Sequence, residues 1–190
     1  MNRIHNAVSI LFSAPLIAAY VTIIFSLFSP IGLGSSSVLS SIFLGLIFLS
    51  FFPMFVIFLE GKTFTGWNFF DRRERNKVYP WVILSYFLGS LVFWSTGNKI
   101  MFIISASYVL VTLPLFLTNF FWKISVHTAG ITGPITALVC VFGFFLSPLY
   151  LTAVPVAYSR YRLGSHDNVQ LVAGALVAIF ITYLTYFIMW

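Results

Sequence analysis

Long apolar runs alternate with short polar breaks along this chain, and that alternation predicts its elements. A membrane-spanning helix needs roughly 17–25 apolar residues, fewer where its ends are tucked into protein. Seven stretches answer that description: 7–28, 37–59, 81–96, 99–118, 128–144, 147–162 and 167–189. The third, fifth and sixth are short, and Pro148 and Pro155 disturb the sixth. Breaks fall at Ser29-Pro30 through Ser37, at the polar stretch 60–80, at Thr96-Gly97-Asn98 and around Ser147-Pro148, where turn-forming residues punctuate the backbone. Pro80 opens the third span, where its missing N–H costs nothing. No internal repeat is visible. The pattern predicts an all-α polytopic transmembrane helix bundle of about six to seven spans.

Threading the chain through these spans segregates its charge. One membrane face receives Arg3, Lys62, Arg72, Arg73, Arg75, Lys77, Lys123, Arg160 and Arg162, the acids Glu60, Asp71, Glu74 and Asp167, and the histidines His5, His127 and His166. Only Lys99 falls on the other face. Trp67, Trp81 and Trp122 sit near span ends on the charged side and Trp94 and Trp190 on the opposite one, as an aromatic belt would. A wrong span count would scatter these residues, so the segregation supports the topology.

Composition narrows the class. The chain is 60% hydrophobic with mean hydropathy +1.01, and its 190 residues include ten Lys or Arg and four Asp or Glu. That predicts one integral membrane domain over residues 1–190, with no room for a soluble domain. The net charge of +6 is dispersed between spans and makes no continuous cationic face, which argues against nucleic acid and for a small anionic group or a lipid headgroup. Cys140 is the sole cysteine, which excludes an internal disulfide and a multi-cysteine metal site. It reads as a packing residue. The basic start and first apolar run are those of a signal peptide, but the run has span length and no clear small-x-small cleavage site, so it reads as a retained helix.

Three polar clusters converge on the charged face. The first is Asp71-Arg72-Arg73-Glu74-Arg75-Asn76-Lys77-Val78-Tyr79-Pro80, the second Lys123-Ile124-Ser125-Val126-His127-Thr128, and the third runs from Ser159-Arg160 through His166 to Gln170. Charged and polar groups crowded at the mouths of hydrophobic helices are costly unless they do chemistry. Phosphoryl transfer needs cations around the equatorial oxygens, an in-line nucleophile and a proton for the leaving oxygen. Arg160 and the arginines of the first cluster suit forked phosphate contacts. Ser125 lies where a span begins, so its hydroxyl and the free backbone N–H groups around Val126 can cradle an anion. His166 and Gln170, four apart, share a face of the last helix. His127 opens a different helix on the same membrane face.

In order and spacing these clusters resemble the type-2 phosphatidic acid phosphatase superfamily, the membrane lipid phosphatases related to vanadium haloperoxidases. That superfamily carries Lys-x6-Arg-Pro, then Pro-Ser-Gly-His, then Ser-Arg-x5-His-x3-Asp. The third cluster keeps Ser159, Arg160 and His166 and has Gln170 where aspartate is usual. The second keeps Ser125 and His127, with Ile124 for proline and Val126 for glycine. In the first, Arg72-x6-Tyr79-Pro80 has the register, and Arg75 or Lys77 supplies the missing charge. The resemblance covers about residues 60–185, after two N-terminal spans. It implies that His166 is the nucleophile, forming a phosphohistidine, and that His127 protonates the leaving oxygen. Gln170 takes the place of the aspartate that holds the nucleophile's Nδ1–H. It can accept that bond but cannot stabilise a developing imidazolium with full charge. Phosphate contacts fall to Arg160, Ser125, Val126, Lys123, Arg72, Arg75 and Lys77. No metal and no cofactor is implied, and the substrate is a lipid phosphate or pyrophosphate, of polyprenyl pyrophosphate, phosphatidate or phosphatidylglycerophosphate type.

Plainer readings stand beside these. A histidine at a span end is often only interfacial, the 71–77 run also reads as a positive-inside anchor or an anionic-lipid contact, and Arg162 reads as snorkelling. Gly130, Gly133, Gly174 and Ala178 read as small residues that let the fifth and seventh spans approach. Trp67, Phe69 and Phe70 would bring an amphiphile to the site from the interface. The rival functions are a non-catalytic lipid-headgroup binder and a small anion transporter with a basic vestibule.

Overall fold

The computed structural model describes residues 2–59 and 72–190, without the side chains of residues 2–4 and 6. The expectations for Glu60, Lys62, Trp67, Phe69, Phe70 and Asp71 therefore lie outside the described residues, as does that for the Arg3 side chain. All regular structure among the described residues is helical.

The expected first span is two helices, α1 (Asn2–Leu11) and α2 (Ala14–Phe28), separated at Ser13, which is extended. Pro15, in the first turn of α2, has no N–H for the Leu11 carbonyl and its ring collides with that carbonyl, so one helix cannot run through. The second span is continuous over Val38–Leu59. Ser37 caps α3 (Val38–Gly45), accepting from the Ser40 N–H at 3.1 Å. A π turn over Leu46–Phe51 then leads into α4 (Phe52–Leu59). The cause is Pro53: the Phe52 N–H reaches back to Ile47, Pro53 offers no N–H, and the Ser85 hydroxyl donates to the Phe48 carbonyl at 2.6 Å.

The expected third span, 81–96, belongs to a longer helix, α5 (Arg72–Ser95), so Pro80 lies inside a helix rather than opening one, and that expectation is corrected. The first two turns of α5 are polar, and polarity hid them from a hydropathy reading. Asn119, at the end of α6 (Lys99–Asn119), ties them down by donating to the Arg72 carbonyl (2.9 Å) and to Asn76 Oδ1 (2.7 Å). α7 (Val126–Phe142) ends at Gly143, whose φ of +114° a side chain would resist. The expected sixth span is instead a 3-10 segment, Phe144–Thr152, and a ten-residue helix, α8 (Ala153–Arg162). Last comes α9 (Asn168–Met189), capped by Asp167.

Four stretches, Val38–Leu59, Arg72–Ser95, Lys99–Asn119 and Asn168–Met189, are long and apolar enough to cross a membrane; Ala14–Phe28 and Val126–Phe142 are apolar but shorter. The expected six to seven spans are thus met in four by length. Phe58, Phe87, Phe121, Phe180 and Phe187 face outward, as lipid-facing side chains do.

α7 is the innermost helix, buried almost continuously from His127 to Leu138. It is zipped to α9 by hydroxyls one turn apart, Thr128 donating to the Leu171 carbonyl (2.8 Å) and Thr132 to that of Ala175 (3.2 Å). Gly174 is indispensable to this contact, because a Cβ there would stand 2.3 Å from the Ser125 carbonyl. Gly133 also faces α9, at Ala178 and Thr182, whereas Gly130 packs on Ala14 of α2. For Gly130 the reading of an α7–α9 contact is corrected.

Candidate functional site

The polar clusters meet at one end of the bundle. Ser125 caps α7, accepting the Thr128 N–H at 3.4 Å, and its own N–H donates to the Gln170 carbonyl in the first turn of α9 at 3.2 Å. Arg75, on α5, donates from Nη1 to the Ile124 carbonyl at 3.1 Å. Three helix starts are thereby locked together, and His127 and His166 are carried into the space between them.

His166 is 5% exposed and held from both sides. Arg75 Nη2 lies 3.2 Å from its Nε2, and Gln170 Oε1 lies 3.0 Å from its Nδ1. A guanidinium can only donate, so Nε2 carries the lone pair and Nδ1 the proton. That proton in turn requires an acceptor at Gln170, which assigns the amide oxygen to the histidine side. Gln170 Oε1 also accepts from the Asp167 N–H (3.4 Å), while the Gln170 N–H donates to Asp167 Oδ1 (2.8 Å), closing a capping box. Asp167 itself is exposed and spent on that cap. Burial first, and then the Arg75 charge, push the His166 pKa down to about 3; Arg160 and Lys123 act in the same direction and the Gln170 hydrogen bond against it.

Arg160 is fully buried, and its Nη1 donates to the Ser9 hydroxyl of α1 at 3.0 Å. Next to it Ser159 Oγ lies 3.4 Å from His5 Nδ1, and the His5 ring meets Tyr158 edge-on at 5.7 Å. Arg160, Arg75 and His166 all lie within electrostatic reach of His127, which is 8% exposed, and Lys123 lies within reach of His166. The result is two imidazoles and three cations on five separate segments, converging on one point.

Other expected residues are placed differently. Lys77 is exposed, about 200° around α5 from Arg75. Arg72 donates to the Phe121 carbonyl. The Ser125 hydroxyl is occupied as the α7 cap, so what α7 offers an anion is the backbone N–H groups of its first turn, Val126 among them. Of the three cations considered for the first cluster, Arg75 is the one facing His166. Ser9 had no signal in sequence, since an isolated serine looks like any other helix residue; His5 falls on the charged face with the other histidines but in none of the three clusters. Among the described residues no group of three His, Cys, Asp or Glu could hold a metal.

No family model, curated protein or solved structure matches this chain.

Proposed function

We propose that the chain is a metal-independent membrane phosphatase, similar to the type-2 phosphatidic acid phosphatases, that acts on a lipid phosphate or pyrophosphate. One observation carries this reading: His166 is buried as the Nδ1–H tautomer between Gln170 and Arg75, with its attacking nitrogen turned toward a guanidinium suited to phosphate.

At rest Arg75 covers Nε2. An arriving phosphate offers Arg75 charge-assisted bonds stronger than the one it makes to a neutral imidazole. The guanidinium turns to the phosphate oxygens and uncovers the lone pair. Arg160, Lys123 and the first N–H groups of α7 take the remaining equatorial charge. Nε2 then attacks phosphorus, the N–P bond forming as the bond to the leaving oxygen breaks, and His127 gives that oxygen its proton. The negative phosphate between His127 and the guanidiniums offsets their charge and lets the imidazole hold the proton it donates. Water next attacks the phosphohistidine, with His127 taking a proton back, and inorganic phosphate leaves. Gln170 keeps Nδ1–H in place throughout. It cannot offer the imidazolium a full counter-charge, so this chain is slower than one with a carboxylate there.

The outward apolar surface supports a substrate that arrives from the bilayer. Positive-inside counting along the sequence favours the cytoplasmic face for the site: Arg3, Lys62, Arg73, Lys77 and Arg162 fall on the charged side of the expected spans and Lys99 on the other.

Phosphate release from a panel of lipid phosphates tests the reading. Release should survive excess chelator, vanadate should inhibit it, and His166→Ala and Arg160→Ala should abolish it. Full activity in His166→Ala protein would end the phosphohistidine proposal.

A further inference from the structure

Directly beneath the cluster, inside the helix bundle, lies an apolar cavity of about 140 Å³. Arg75 and His127 stand at its polar end, and Val82 and Tyr86 of α5 and Tyr108 and Val111 of α6 line its walls. From Arg75 to Tyr86 these residues descend about three turns of α5. Tyr86 and Tyr108 face each other with ring centroids 5.0 Å apart. Helices this closely packed normally leave few voids larger than a water molecule. An apolar hole of roughly 150 Å³ stays dry and takes up benzene. This one therefore suits a hydrocarbon group, and its only charged wall is at the proposed phosphate site.

We infer that the cavity is a chain-binding subsite: a single hydrocarbon chain leaves the bilayer, and its first few carbons after the phosphate sit between α5, α6 and α7. The inference rests on the proposed phosphatase reading and deepens it by selecting among lipids. The volume admits a short stretch of one chain, of the size of about one isoprene unit. It does not admit a glycerol with two ester-linked chains, whose carbonyls would meet an almost wholly apolar wall. A prenyl-type monophosphate or pyrophosphate fits; a phosphatidate does not. Moving a chain from bilayer to cavity gains little transfer free energy, because lipid tails are equally apolar. The subsite acts by orientation, holding phosphorus in line with His166 Nε2.

Val111→Phe and Val82→Phe fill the cavity without touching the polar cluster. Each should lower kcat/KM for farnesyl phosphate at least tenfold and leave phenyl phosphate, which lacks a chain, within twofold. Retained phenyl phosphate activity in the filled variants shows that they fold, and Val111→Ala, which leaves the cavity open, should keep both activities. A second measurement needs no turnover: the full-length protein in nanodiscs is photolabelled with a farnesyl phosphate carrying a diazirine on its first isoprene unit. Labels are expected on Tyr108, Val111 and Val82, competed by farnesyl phosphate and not by dioleoyl phosphatidate. Leu110 and Leu113 of α6 face outward, 45% and 42% exposed, and serve as the bilayer control. Labels only on those two residues, or none, would overturn the subsite, as would filled variants that keep the wild-type ratio of the two activities. Labels inside the cavity with no phosphate release from any substrate would keep the chain site and refute the phosphatase instead.

Discussion

His166 makes stability a function of pH in a way that does not depend on what the protein does. Its pKa in the folded chain is about 3, against about 6.5 for a histidine in an unfolded one. As pH falls below 6.5 the unfolded chain takes up a proton here and the folded chain does not. The native state is therefore fully favoured above the unfolded value and loses ground as pH falls from about 6.5 toward about 3. Linkage gives the size: at 1.36 kcal/mol per unit, going from pH 7 to pH 5 removes about 2 kcal/mol through this residue alone. His166→Gln cannot take up the proton and should not show that loss. Thermal unfolding of both proteins in one detergent, at pH 7 and at pH 5, measures the difference. His5 and His127 are common to both and cancel. Wild type should lose about 4–8 °C more than the variant, from roughly 2–4 °C per kcal/mol for a chain of this size. Equal losses would refute the argument and show that Arg75 and burial do not hold the ring neutral.

Three further outcomes are expected. Gln170→Leu strands the His166 Nδ1–H and should cut turnover by roughly 10²-fold or more, from about 1–3 kcal/mol for a buried unsatisfied donor plus the lost tautomer; Gln170→Glu should keep or raise activity and lift the His166 pKa, read by ring NMR, and an active leucine variant would remove Gln170 from the mechanism. Ser9→Ala should raise KM for a lipid phosphate about tenfold, the loss of one bond of about 1.5–3 kcal/mol to a charged group, with Ser9→Thr restoring it; an unchanged KM would leave α1 with no part in the site. For sidedness, in a Cys140→Ala background, Gly32→Cys, where a Cβ meets nothing within 4 Å, should label with impermeant maleimide in intact cells, and Tyr161→Cys, 52% exposed at the site end, should not; the reverse pattern would put the site outside.

Much of the molecule is written locally. A chain this apolar must satisfy its backbone within each segment, so the long runs could only become helices. His166 precedes the Asp167 cap rather than sharing a helical face with Gln170, and the capping box that folds Gln170 back over the cap brings its amide oxygen to His166. Ser125 and Asp167 cap the helices they precede because a side-chain oxygen there meets a free N–H. Where a proline decides between a break and a pass, local rules fall short. Pro15 separates two helices, while Pro80 sits inside one whose polar turns are tied down by Asn119.

Tertiary packing decided the rest. Arg72, Arg75 and Lys77 are chemically near-equivalent in sequence, and only the docking of α5 against the 120–124 segment turned Arg75 onto His166, left Arg72 on a loop carbonyl and Lys77 exposed. Ser9 became a partner of Arg160 across 151 positions of sequence. The cavity under the cluster belongs to no single segment, being the space that α5, α6 and α7 leave between them, closed by Pro15 of α2, Ile57 of α4 and Thr182 of α9. Capping and periodicity are properties of neighbours along the chain, which a sequence carries. Which face of a helix meets which partner is chosen by the whole bundle at once.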